Sequence, residues 1–172
     1  MTAQKAQKQN VGNAGEYYIA ARLSALNFVA TITLGRAEKY DILALSPSGR
    51  LVKISVKATQ KERSSGFPLS SKDEKGASDD FYYAFVKLNG FKSEPCFWII
   101  PSKIVCPLMK IAHKKWEDTP GRNGREHSKS NKMRWLPIEL KGADKKYYPQ
   151  EWENEVKKYH KNLEQINGKV SP

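Results

Sequence analysis

The chain has few cysteines and no long apolar run, and each of these absences excludes a class of protein. Only Cys96 and Cys106 carry thiols among 172 residues, which is too few for the disulfide framework of a small secreted domain. No apolar stretch approaches the roughly 20 residues that a membrane-spanning helix needs, and no signal peptide is recognisable. These features predict a protein of a reducing, cytoplasmic compartment with no membrane partner.

Histidine is also scarce, with three in the chain. Cys96, Cys106, His113 and His127 lack the short paired spacing, of the C-x2-C or H-x3-H kind, that structural zinc sites use. We therefore expect neither zinc nor an organic cofactor.

Acidic residues are in short supply compared with basic ones. The chain has 30 Lys and Arg against 18 Asp and Glu, a formal net charge of +12. Such an excess favours a polyanionic partner, and nucleic acid, double-stranded DNA in particular, is the expected one. The alternative is a basic protein with no such partner.

The basic residues are concentrated in one segment, residues 110–134, which we call the basic arm. Its Gly residues and its lack of apolar periodicity suit a segment that follows phosphates, and affinity should then fall steeply with salt. A solvated charged loop is the alternative. The expected phosphate contacts are Lys114, Lys115, Arg122, Arg125, Lys129, Lys132 and Arg134.

The hydrophobic pattern predicts an α/β order of elements. The expected elements are a helix at 14–26 with Asn13 as its N-cap, strands at 28–34, 40–46 and 51–58, a short helix near 70–75, strands at 81–88 and 95–100, a helix from Ser102 towards Trp116, a strand at 135–140 and a last helix from Pro149.

We interpret residues 1–172 as a single domain, with a core at about 11–116, a basic loop at 117–134 and a C-terminal extension at 135–172. The last helix carries an apolar stripe from Trp152 to Ile166. Packing on the protein's own core is the default for this stripe, and pairing in a homodimer is the alternative.

Two of the predicted strands carry the most informative residues. Asp41 precedes the apolar run Ile42–Leu45, and Lys57 ends a strand whose Lys53, Ser55 and Lys57 alternate with Val52, Ile54 and Val56. A Pro–Gly turn at 46–50 joins the two strands, so a hairpin can bring Asp41 and Lys57 together. A carboxylate beside an ammonium group suits metal-assisted cleavage of phosphodiesters.

This order, with these residues, resembles the PD-(D/E)XK nuclease superfamily over about residues 11–101. Members of that family carry an acid on the first helix, an Asp at the start of the second strand and an acid-x-Lys pair on the third. The matching positions are Glu16, Asp41 and the Ser55-x-Lys57 pair. The resemblance implies a restriction-endonuclease-like fold with a mixed central sheet flanked by helices.

The resemblance also implies an activity: Mg²⁺- or Mn²⁺-dependent hydrolysis of DNA by an endonuclease or exonuclease. Asp41, Glu16 and the backbone carbonyl of Val56 would hold the metal, and Lys57 would orient or help deprotonate the attacking water. Ser55 completes the expected catalytic set.

Ser55 departs from the family pattern, because a hydroxyl is a weaker ligand for a hard cation than a carboxylate. Glu16, or less favourably Glu62, Asp73 or Glu74, is a candidate to supply the missing acid. The alternatives are a domain that binds nucleic acid without cutting it, or an accessory interaction protein of a restriction or mobile-element system.

Some of these residues also have plain structural interpretations. Glu16 could close a capping box with Asn13, and Lys53 and Lys57 could lie on a solvated face of the sheet. Lys53 and Gln60 are further candidates for contact with nucleic acid, although a polar loop residue is the simpler interpretation of Gln60.

Overall fold

A computed structural model of the chain describes residues 8–33, 40–121, 124–128 and 130–167. The helices and strands, in chain order, are α1 Lys8–Ser24, β1 Val29–Ile32, β2 Ile42–Leu45, β3 Leu51–Thr59, β4 Gly66–Ser70, β5 Phe81–Lys87, β6 Cys96–Pro101, α2 Ser102–Asp118, β7 Met133–Pro137, α3 Asp144–Tyr147, α4 Trp152–Lys157 and α5 Glu164–Asn167. Single 3₁₀ turns lie at Ser71–Glu74 and Asn89–Phe91.

The predicted hairpin of the Asp41 and Lys57 strands is present. β2 pairs antiparallel with β3, and Ile42 lies opposite Ile54. The turn between them places Gly49 at φ +81°, a conformation that glycine adopts without steric cost. β3 runs five residues beyond the Ile42–Ile54 pair, so its far end has no β2 partner.

A mixed five-stranded sheet forms the centre of the molecule, in the order β1-β2-β3-β5-β6. β3 and β5 are parallel and the other pairs are antiparallel. The parallel pair requires a crossover, which the segment containing β4 and the Ser71–Glu74 turn provides.

Helices cover both faces of this sheet. On one face, Ile19 and Leu23 of α1 pack with Ile54 and with Val86 of β5. On the other face, residues of α2 pack against Phe85 and its neighbours. The expected mixed α/β class, with a mixed central sheet flanked by helices, is therefore confirmed.

The first helix begins earlier than predicted. α1 already contains Lys8, so Asn13 lies inside it and is not an N-cap. The Asn13 side chain accepts a hydrogen bond from Gln9 at 2.8 Å. The helix stops at Ser24, and Asn27, at φ +62°, turns the chain into β1 through the left-handed conformation that asparagine tolerates.

A second, two-stranded sheet was not predicted. β4 pairs antiparallel with β7, so the C-terminal end of the basic arm and the residues after it are joined to the crossover segment. Gly66 is required there, because a Cβ at that position would lie 2.3 Å from the carbonyl oxygen of Leu136. The predicted strand at 135–140 is thus observed two residues earlier, at Met133–Pro137.

The predicted C-terminal helix is two short helices rather than one. Trp152 of α4 packs in the core on the α2 side, whereas Ile166 of α5 packs in the core on the α1 side. Between them, Tyr159 accepts a hydrogen bond from Ile99 and Lys161 donates one to Phe97. The segment therefore wraps around the edge of β6 and caps the backbone groups of that edge strand.

α2 runs from Ser102 to Asp118 and continues through Pro107 without a break. Among the described residues, no helix is both long and apolar enough to cross a membrane.

Candidate functional site

Asp41 lies immediately before β2, where β3 continues beyond its pairing with β2 and stays paired with β5. Its carboxylate oxygen Oδ2 accepts hydrogen bonds from the backbone N–H of Val56, at 2.6 Å, and from the hydroxyl of Ser55, at 3.2 Å. The carboxylate takes the position that a β2 carbonyl would otherwise occupy opposite β3. Two donors therefore fix Asp41 at the open end of the hairpin.

Glu16 lies on α1, which packs on the face of the sheet that carries Ile54, and its carboxyl interacts electrostatically with Asp41. The preceding residue, Gly15, brings α1 so close to β3 that a Cβ there would lie 2.5 Å from the Cβ of Ala58. Burial, and then the negative charge of Asp41, raise the pKa of the Glu16 carboxyl above its usual value. The two carboxylates therefore repel each other, and such repulsion is typical of carboxylates that share a cation. Because Asn13 is not an N-cap, the capping-box interpretation of Glu16 is wrong.

Lys57 lies two residues beyond Ser55 on the same face of β3. Its ammonium group is 4.0 Å from the carboxylate oxygen Oδ1 of Asp73. Asp73 is held in place by the hydroxyl of Tyr83, at 3.2 Å, and by the backbone N–H and hydroxyl of Ser70, at 2.7 and 2.9 Å. The Ser71–Glu74 turn therefore carries a fixed carboxylate to the lysine.

The other two acids that could replace a third-strand carboxylate are not available. Glu62 is exposed in the loop after β3. Glu74 forms a largely buried ion pair with Arg134. Asp73 is the acid that the structure brings to the Lys57 end of β3, on the same strand face as Ser55.

The metal ligands expected from the sequence are partly brought together. Asp41 and Glu16 are close enough to interact electrostatically. The contact that Val56 makes with Asp41 uses its N–H group, a donor, which positions the carboxylate and does not ligate a cation. Among the described residues, no group of three or more His, Cys, Asp or Glu side chains is arranged to hold a metal ion.

The donors that are present nevertheless fit magnesium. Mg²⁺ prefers oxygen ligands, keeps several waters and is commonly held by one or two carboxylates together with substrate phosphate. Asp41 and Glu16 supply two carboxylates, and Glu16 carries the mutual repulsion that a cation would relieve.

The two remaining candidates near the hairpin have structural partners. Lys53 forms an ion pair with Asp80 at 2.8 Å, on the side of Ser55 that leads to the hairpin turn. The side-chain carbonyl of Gln60 accepts a hydrogen bond from the backbone N–H of Gly90 at 2.9 Å, which holds the turn between β5 and β6. Neither side chain forms a hydrogen bond or an ion pair with Asp41.

The basic arm does not form one loop. Lys114 and Lys115 are exposed on α2, and Lys114 pairs with Asp118 at 2.8 Å. Arg125 and Lys132 are exposed after the helix. Arg122 and Lys129 lie outside the described residues, so their predicted contacts stay predictions.

Arg134 departs from the prediction of a solvated phosphate contact. Its side chain is 7% exposed, pairs with Glu74 and donates to the backbone carbonyls of Asn131 and Met133. β7 places the Arg134 side chain in the interior, so Arg134 is not part of the proposed contact surface.

No role was predicted from the sequence for the aromatic side chains around the basic arm. Trp116 stacks on His113 and on His127, with ring centroids 5.2 and 3.8 Å apart. These rings stand beside a cavity of about 240 Å³ that Trp135 and Tyr147 also line. The spacing of residues in the sequence could not have revealed this cavity, because its walls come from three separate elements.

Comparison with known proteins gives likenesses to solved structures alone. The sequence matches no family model and no curated protein. A bacterial homing endonuclease of known structure is similar, with 12% sequence identity, a TM-score of 0.47, and coverage of 90% of this chain and 95% of that chain. At this identity and TM-score the likeness carries no functional argument, so the proposal below rests on the side chains.

The raised pKa of Glu16 leads to a prediction about stability. Because the folded protein holds the Glu16 proton more tightly than the unfolded chain does, stability falls as pH rises from the ordinary glutamate range through the folded pKa. Glu16→Gln should therefore gain stability relative to the wild type between about pH 4 and pH 7. Thermal unfolding in EDTA at both pH values measures this difference.

The exposed Glu62→Gln serves as the control, and its melting temperature should follow the wild type at both pH values. If the Glu16→Gln variant instead becomes less stable relative to the wild type as pH rises, the Glu16 carboxylate stabilises the fold. That result would contradict the repulsion between Glu16 and Asp41.

Proposed function

We propose that the protein is a metal-dependent nuclease that hydrolyses phosphodiester bonds of DNA. The observation that carries the proposal is the pair of carboxylates, Glu16 and Asp41: Asp41 is fixed against β3, and its negative charge, after burial, raises the pKa of the Glu16 carboxyl. Lys57 follows on the same strand, in the order that the family resemblance implies.

The side chains of the site have separate roles in this proposal. Asp41 and Glu16 would hold Mg²⁺ or Mn²⁺, which when bound polarises the scissile phosphate and neutralises developing charge. Val56 and Ser55 fix the Asp41 carboxylate through their hydrogen bonds. Lys57 would orient the attacking water, and its ammonium group would stabilise the negative charge that develops on the phosphate.

Asp73 supports the orientation of Lys57. It lies 4.0 Å from the ammonium group and is itself held by Ser70 and Tyr83. A fixed carboxylate restricts the many rotamers of a long lysine side chain, and such restriction is what precise positioning requires.

A second function has an observation in its favour. Ser55 stands where the family pattern has an acid, and the described residues offer no cluster of three metal-binding side chains. A domain that binds DNA without cutting it would keep the basic surface of Lys115, Arg125 and Lys132 and would not need the metal.

Cleavage of supercoiled plasmid tests the proposal. We expect nicking or cutting by the wild type in Mg²⁺ or Mn²⁺, none in EDTA, and a loss of at least about a hundredfold in Asp41→Asn, because losing a bound metal removes several kcal/mol of charge stabilisation. Equal cutting by the wild type and the variant, or none by either, would refute the nuclease and leave the binding function.

A further inference from the structure

A cavity of about 240 Å³ lies between the C-terminal half of α2, β7 and α3. Its walls include Trp116, Trp135 and Tyr147, with Asn131 and Asp144 as polar groups. Pockets for whole drug-sized ligands usually measure roughly 300–1,000 Å³. The cavity therefore suits one flat ring system whose attached groups remain outside.

Two of the aromatic walls have no stacked aromatic partner. Trp116 is already layered between His113 and His127. No aromatic ring of the described residues stacks on Trp135 or Tyr147, and both side chains are only partly buried. An incoming planar ring can therefore stack on them without displacing an existing partner.

The polar groups in the cavity can recognise the edge of such a ring. Asn131 uses its carbonyl oxygen to accept from the N–H of Met133, and its NH₂ group is not part of that bond. Asp144 supplies a half-buried carboxyl group, and burial raises its pKa. Both groups line the cavity, and a donor together with an acceptor is what the edges of nucleobases require.

The charge around the cavity selects an anionic occupant. Exposed lysines are sequence neighbours of its lining residues: Lys115 precedes Trp116, Lys132 lies between Asn131 and Met133, and Lys145 and Lys146 lie between Asp144 and Tyr147. A neutral aromatic peptide would gain nothing from this rim. A nucleotide places its phosphates there and its base inside.

The cavity also lies close to the candidate nuclease site. Within the Ser71–Glu74 turn, Asp73 faces Lys57 and the next residue, Glu74, pairs with Arg134, which lines the cavity. One turn of chain thus separates the two sites.

We propose that this cavity binds a single unstacked nucleobase of a nucleic-acid strand, with Trp135 and Tyr147 as stacking surfaces and the surrounding lysines on the flanking phosphates. The inference deepens the proposed function and rests on it, since nucleic acid is the ligand in both. It adds a base-binding subsite that electrostatic contact along the arm does not provide.

Binding to two single-stranded oligonucleotides of equal length, one with bases and one fully abasic, tests the proposal. They have the same phosphates, so their difference in affinity isolates the bases. In EDTA, the wild type should bind the base-containing strand at least about fivefold more tightly, the lower end of the stacking contribution of one base. Fluorescence anisotropy of labelled strands measures both affinities.

Trp135→Leu should remove this preference and leave affinity for the abasic strand unchanged. Tyr147→Leu tests the other stacking surface, and thermal melting identifies a variant that has lost its fold. Phe91→Leu, at an exposed aromatic outside the cavity, should keep the full preference. Equal affinities of the wild type for the two strands, or a preference that survives in both folded cavity variants, would overturn the proposal.

The outcome can be separated from the nuclease test. Asp41→Asn should keep the base preference, because Asp41 does not line the cavity. A wild type that prefers bases but does not cut plasmid would refute the nuclease and support the subsite. A wild type that cuts plasmid but shows no base preference would support the nuclease and overturn the subsite.

Discussion

Replacing Lys57 by methionine should lower the rate of DNA cleavage about 10²–10⁴-fold, the usual contribution of a positioned acid–base group. Methionine keeps most of the apolar stem and removes only the ammonium group. Ser70 and Tyr83, which hold Asp73, remain in place. Because the ion pair with Asp73 is long, at 4.0 Å, and partly exposed, the fold should survive the change.

Lys53→Met is the matched control for this variant. Lys53 lies on the same strand and the same face, is similarly exposed and also pairs with an aspartate, Asp80. Its cleavage rate should stay within a few-fold of the wild type, because its ammonium group is held by Asp80 and lies on the other side of Ser55 from Lys57, towards the hairpin turn. Equal losses in the two variants would mean that general basicity, rather than the position of Lys57, is required.

Arg134→Met should destabilise the protein by about 3–5 kcal/mol, the cost of leaving one member of a buried ion pair without its partner. Glu74 is 16% exposed and would keep its charge without the guanidinium group. The backbone carbonyls of Asn131 and Met133 would lose their donor as well. Denaturant unfolding measures this loss.

The double variant Glu74→Gln, Arg134→Met should recover much of the lost stability, because neither side chain is then a buried unpaired charge. The salt dependence of DNA binding gives an independent check. Arg134→Met should leave the slope of log affinity against log salt unchanged, whereas Arg125→Ala and Lys132→Ala should each reduce it by about 0.9. A reduced slope for Arg134→Met would restore that residue to the contact surface.

The sequence predicted the central sheet and its hairpin because their signals are local. Alternation along β3, a Pro–Gly turn and the continuous apolar run of β5 each lie within a single segment. The order of these elements was sufficient to place Asp41 and Lys57 on adjacent strands. The carboxylate pair, by contrast, depends on the close packing of Gly15 against Ala58, which no periodicity reveals.

The second sheet and the surroundings of Arg134 could not be predicted because they depend on long-range pairing. The segment that became β4 is short, polar on one side and contains Pro68, so its pattern resembles a loop. Its pairing with β7, more than 60 residues away in sequence, converts an expected phosphate contact into a buried ion pair. The aromatic cavity was missed for the same reason.

The C-terminal apolar stripe shows a different limit. Trp152, Val156, Leu163 and Ile166 have helical spacing, yet the chain leaves the helix after Lys157 and Lys161 adopts φ +53°. The four residues are all buried, as the spacing predicts, but in two cores on opposite faces of the sheet. Periodicity identified the buried residues correctly and could not show that an edge strand interrupts the helix.

Titration with Mn²⁺ tests the central claim, that Glu16 and Asp41 together hold a divalent cation, most directly. Calorimetry at neutral pH should show one site in the wild type, a large loss of affinity in both Glu16→Gln and Asp41→Asn, and no change in Asp80→Asn, whose carboxylate is paired with Lys53. Unchanged Mn²⁺ binding in Glu16→Gln and Asp41→Asn, or the absence of binding by the wild type, would contradict the account.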